Sequence, residues 1–114
     1  MTAADMAACA ERGMSAPPEV VYNTATDPTR DNGWLPTPLR RENRPKMVPS
    51  TLCVYWSPDP QGWSAQLSVR QGAVGGALVR LELTADLPED RLAEIAEESL
   101  VKLARHVSDN LTAG

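Results

Sequence analysis

The stretch Trp63-Ser64-Ala65-Gln66-Leu67-Ser68-Val69-Arg70, with Ala77-Leu78-Val79-Arg80-Leu81-Glu82-Leu83-Thr84 just after it, decides the architecture. In the first segment Trp63, Ala65, Leu67 and Val69 face one way, and Ser64, Gln66, Ser68 and Arg70 the other. A period of two with one apolar side is the pattern of a half-buried β-strand. In the second segment Ala77, Val79, Leu81 and Leu83 alternate with Leu78, Arg80, Glu82 and Thr84. Gln71-Gly72-Ala73-Val74-Gly75-Gly76 joins the two, and its glycines read as hairpin residues. Upstream, Leu52, Val54 and Trp56 alternate with Thr51, Cys53 and Tyr55, and Ser57-Pro58-Asp59-Pro60-Gln61-Gly62 turns the chain towards Trp63. A short further strand is expected over 44–48, where Pro45 and Pro49 bracket it. The sum is an antiparallel meander with one apolar face and one wet face.

Beyond the last strand the period becomes helical over 86–112. Leu92, Ile95, Ala96, Ser99, Leu100, Leu103, Val107 and Leu111 form one stripe. Asp86 with Glu89 resembles a capping box. Acidic residues crowd the front of this helix, while Lys102 and Arg105 lie towards its rear, in accord with the helix dipole. A sheet with one apolar face and a helix with one apolar stripe bury them together. The expected fold class is therefore α+β, an antiparallel β-sheet packed against a long C-terminal α-helix.

On the N-terminal side, Pro18–Thr26 reads as a helix, with Pro in its first turn and Glu19 at its positive end. Asp27-Pro28 stops it, and residues 29–35 read as a second short helix or turn ending near Trp34-Leu35. Residues 1–14 are Ala-rich and polar and read as a flexible or loosely helical segment.

The chain of 114 residues has room for one core. Its net charge of −4 argues against binding a nucleic-acid backbone, which requires a basic surface. It contains no apolar run long enough to span a membrane. Two cysteines, Cys9 and Cys53, are too few for a disulfide framework and read as reduced thiols of a cytoplasmic protein. The spacing of His, Cys and Asp matches no metal-ligand set, and no cofactor motif is present: Gly72, Gly75 and Gly76 are not followed by the Lys-Ser/Thr of a phosphate loop.

Several motifs in order resemble a known family. Ala16-Pro17-Pro18-Glu19-Val20-Val21-Tyr22, then Thr26-Asp27-Pro28 with Arg30, then Trp34-Leu35-Pro36, look like the opening of START-like (SRPBCC) domains. Val54-x-Trp56-x-Pro58 and the long terminal helix are similar too. The resemblance implies a helix-grip fold, a curved sheet clasping the last helix, with 15–112 as a single START-like domain. It also implies a space between sheet and helix in which many members hold an apolar molecule. Some members are polyketide cyclases or dehydratases, and others are co-chaperone-like modules that act on a partner protein. This chain departs from the pattern by having too few strands, which leaves a sheet edge open and points to a homodimer through that edge.

The inward-facing residues carry no acid, base or amide, which suits an apolar ligand and suits proton transfer poorly. Non-catalytic binding of a small apolar molecule is the leading expectation. Its candidate ligand-binding residues are Trp34, Val54, Trp56, Trp63, Leu67, Val79, Leu81, Ser99 and Leu103. The plainer reading of the same side chains is that they simply form the core. His106, the one histidine, is the candidate base for the enzymatic alternative, helped by Ser99; its plainer reading is a half-exposed cation near a helix C-terminus. Arg30, Arg40, Arg41, Arg44 and Lys46 form a basic stretch that suits an anionic group or, more simply, a solvated loop.

Overall fold

The computed structural model describes residues 6–40, 45–58 and 62–113, apart from the side chains of residues 31–32 and 110–113. Its strands are β1 (Met6–Met14), β2 (Lys46–Val48), β3 (Cys53–Trp56), β4 (Ser64–Gln71) and β5 (Ala77–Ala85). Its helices are α1 (Pro18–Ala25), α2 (Asp31–Trp34) and α3 (Glu89–Ala113). The strands form one antiparallel sheet in the order β1-β5-β4-β3-β2. α3 packs on one face of it, against β1 and β5, while α1 and α2 close the end. This is the α+β helix-grip arrangement.

The alternation read from the sequence sets the register. Val54 stands opposite Leu67, Leu67 opposite Leu81, and Leu81 opposite Ala10. All four are buried, so one row of side chains crosses the sheet and shortens to a methyl group at β1. Ala8 and Ala10 are both buried on that strand, and these small side chains let α3 come close. From α3 itself, Leu92, Ala96, Ser99, Leu100, Leu103 and Val107 are buried, while Ile95 is half-buried. The side chain of Leu111 lies outside the described residues. No helix among the described residues is long and apolar enough to cross a membrane.

One expectation is overturned. Residues 6–14 are an edge strand paired along its whole length with β5, from Met6 opposite Ala85 to Met14 opposite Ala77, and not a tail or loose helix. Helix propensity distinguishes residues by only about 0.7 kcal/mol or less, glycine and proline aside, and a continuous ladder with a buried side outweighs it. The period of two is present in β1, with Ala8, Ala10 and Met14 buried and Cys9, Glu11 and Gly13 exposed. Its inward positions are Met6, Ala8, Ala10, Arg12 and Met14; two are alanine and Arg12 is an exposed cation, so the contrast in hydropathy is slight.

The start of α3 is also corrected. Asp86 lies in the bend before the helix, which begins at Glu89; Leu92 N donates to the Pro88 carbonyl at 3.0 Å. In the β4–β5 connection, Gly72 N donates to the Gly76 carbonyl at 2.9 Å. Gly76 is needed for space, since a Cβ there would come within 2.6 Å of the Met14 carbonyl oxygen.

Candidate functional site

The seam between the sheet and α3 is where the candidate residues meet. Trp34, Val54, Trp56, Leu67, Val79, Leu81 and Leu103 are buried in one hydrophobic cluster. Trp63 is half-buried just before β4 and packs against that cluster from the sheet end. Trp34 arrives from α2 and Trp56 from β3; their ring centres are 6.0 Å apart and their planes meet at 73°. An edge-to-face contact of this kind fastens the helix pair to the sheet.

The buried polar groups are few, and most are committed locally. Ser99 Oγ donates to the Ile95 carbonyl at 2.8 Å, and Thr24 Oγ1 to the Val20 carbonyl at 2.9 Å. Tyr22 Oη donates to the Cys53 carbonyl at 2.8 Å, tying α1 to β3. Burial raises the Tyr22 pKa above its usual value, since an apolar setting disfavours the phenolate. Trp34 differs from these groups. Among the described residues its Nε1 is the one buried side-chain nitrogen or oxygen without a hydrogen-bond partner.

His106 is set apart from this wall. It is half-buried at the junction of α2 and α3, its ring against Gly33 and its Nδ1 3.5 Å from Arg30 Nη1. A guanidinium has donors only, so Nδ1 accepts in this contact. Ser99 is two helical turns away, about 10 Å along the axis, and spends its hydroxyl on its own helix. The two do not form a catalytic pair.

The basic stretch does not gather into a patch among the described residues. Arg30 pairs with Asp27 at 3.5 Å, Arg40 Nε donates to the Leu35 carbonyl, and Lys46 is exposed on β2. Arg41 and Arg44 lie outside the described residues. Among the described residues no group of three or more His, Cys, Asp and Glu side chains is placed to hold a metal ion.

No family model and no curated protein matches the chain. Solved structures do. TTHA0849 from Thermus thermophilus superposes with a TM-score of 0.75 at 19% identity, over 92% of this chain and 99% of that one. Ara h 8.0201 does so with a TM-score of 0.62 at 10% identity, over 96% of this chain and 99% of that one. The Aha1 dimer from Colwellia psychrerythraea gives a TM-score of 0.56 at 17% identity, over 88% and 92%. At such identities the likeness is one of fold, and the shared fold is the helix-grip: an antiparallel sheet packed against a long C-terminal helix.

Proposed function

We propose that the protein binds a small apolar molecule between its sheet and α3, without catalysing a reaction on it. The observation that carries this reading is the character of the seam. Its walls, Val54, Trp56, Leu67, Val79, Leu81 and Leu103, are apolar and buried, and among the described residues no acidic or basic side chain is buried with them. Transfer of an apolar group into such a setting is favourable by about 25 cal/mol for each Å² removed from water. The START-like fold supports the reading, because it builds a sheet and a clasped helix around an interior of this kind. Two free cysteines, Cys9 exposed and Cys53 half-buried, support a reducing, cytoplasmic setting. The enzymatic alternative with His106 as base is disfavoured by the contact of that ring with Gly33 and Arg30.

The test is native mass spectrometry of protein purified from its own source, together with an NMR titration using ring-sized apolar compounds. The expected result is a bound small molecule, and saturable shifts at Val54, Leu67, Leu81 and Leu103 methyl groups. Shifts confined to the solvent face of α3 would overturn the reading.

A second reading, protein interaction, has its own observation. β1 is nine residues long, pairs with β5, and among the described residues has no other strand beside it in the sheet. The opposite edge, β2, has three residues and is flanked by Pro45 and Pro49, which blunt it. A recess of about 190 Å³ lies beside β1, lined by Glu11, Arg12, Glu97, Leu100 and Val101. One structural neighbour, Aha1, is a dimer in its solution structure. On this reading a second copy pairs along β1. Light scattering at high concentration then gives twice the monomer mass, and the outward amides of β1 exchange slowly.

A further inference from the structure

We infer that the molecule held at the seam is a neutral, ring-sized apolar compound bearing one oxygen acceptor, such as a ketone, ester or ether, bound by the indole Nε1–H of Trp34. This inference rests on the ligand-binding reading above and specifies the chemistry of that site. Trp34 is buried to 1% exposure, and its Nε1 is without a hydrogen-bond partner. A buried donor left unpaired is costly, and native proteins pair nearly all of them. The other polar groups nearby are spent: Tyr22 on the Cys53 carbonyl, Thr24 on Val20 and Ser99 on Ile95. Among the described residues the Trp34 donor is therefore the buried polar side-chain group left to orient a guest, and binding sites commonly use a few polar groups this way.

The alternative partner for this N–H is the face of Trp56, whose ring centre is 6.0 Å away at 73°. A ring face is a weaker acceptor than an oxygen, so an oxygen brought to this position takes the bond. The acceptor is neutral because no cationic side chain is buried in the cluster, and an uncompensated carboxylate there would be prohibitively costly. Arg30 and His106 contact each other at 3.5 Å, and both are only half-buried. A hydrocarbon of the same shape would leave the donor orphaned.

The experiment uses 1-tetralone and its analogue 1-methylenetetralin, which replaces C=O by C=CH₂ and keeps the shape. Both are titrated into the full chain and into Trp34→Phe, with the indole N–H resonances followed by NMR and assigned through Trp56→Phe and Trp63→Phe. The expected result is that Trp34→Phe weakens the ketone roughly three- to tenfold, the size of one hydrogen bond. The hydrocarbon should change less than about twofold, the ring being replaced by another ring. The Trp34 N–H resonance moves downfield with the ketone and not with the hydrocarbon. Equal loss of both probes, or a Trp34 N–H unmoved by the ketone, removes the acceptor role while seam binding stands. If neither probe binds the unaltered protein at its solubility limit, the ligand-binding reading falls and this inference falls with it. Should Trp34→Phe fail to fold, the N–H shift in the unaltered protein decides alone.

Discussion

The His106 ring lies directly on Gly33: a Cβ at residue 33 would overlap its Nε2 and Cε1 atoms. A glycine in a short helix is thus the seat of an imidazole from α3. Gly33→Ala is expected to destabilise the fold by about 1–3 kcal/mol, because overpacking forces a side chain out of its rotamer. In a His106→Ala background the same change should instead stabilise by up to about 1 kcal/mol, the ordinary gain of alanine over glycine in a helix. Urea unfolding of the four proteins in this cycle measures the sign reversal. Additive effects would show that the ring does not sit there.

Ala10 is the short end of the row Val54, Leu67, Leu81, Ala10, at the strand that α3 approaches most closely. Ala10→Leu should lift the helix from β1 and cost about 1–3 kcal/mol. Leu67→Ala, in the middle of the row, should cost about 2–5 kcal/mol through the cavity it leaves. Thermal unfolding ranks the two. An Ala10→Leu variant as stable as the parent would mean that α3 does not rest on this strand.

The Tyr22 hydroxyl joins α1 to β3 through the Cys53 carbonyl. Tyr22→Phe is expected to cost about 1–2 kcal/mol near neutral pH, one hydrogen bond and an acceptor left without its donor. The raised pKa of this phenol adds a pH signature. A group whose pKa is higher folded than unfolded contributes stability that is complete below about pH 10, the unfolded value, and is lost as pH rises through the folded one. Stability measured from pH 8 upward should fall in the parent and lack this component in Tyr22→Phe.

Asp27 lies just beyond α1 and takes two bonds from Thr29, from Oγ1 at 2.7 Å and from N at 2.9 Å. These bonds, first the side-chain one and then the backbone one, with Arg30 beside them, hold its carboxyl below the usual carboxylate range. The sign is opposite to that of Tyr22. The contribution is present above about pH 4, the ordinary aspartate value, and disappears as pH falls through the lowered one. Asp27→Ala should therefore be less stable than the parent at pH 6, and the difference should shrink on acidification. A gap that stays constant to low pH would assign the loss to something other than the charge.

Much of the sheet was legible because its inner residues are large. Leu67, Val69, Leu81 and Leu83 alternate with polar neighbours, and each is buried as that alternation requires. The α3 stripe was legible for the same reason at a helical period. β1 was not, since its inner positions include Ala8 and Ala10, whose alternation carries little contrast in hydropathy. The candidate site was partly legible: the inward residues converge, but the sequence contains no sign that Ser99 spends its hydroxyl on Ile95 or that the Trp34 indole is left unpaired.

The amino-acid sequence by itself determined the α+β class, the apolar side of each central strand and the buried stripe of the long helix. Periodicity is a local property, and these assignments need only neighbours along the chain. Only the tertiary structure decided that 6–14 joins the sheet, that His106 rests on Gly33, and that one indole donor is stranded in an apolar wall. Those facts depend on which distant residues meet, β1 with β5 and α2 with α3, and on whether the groups that meet supply a donor, an acceptor or only space.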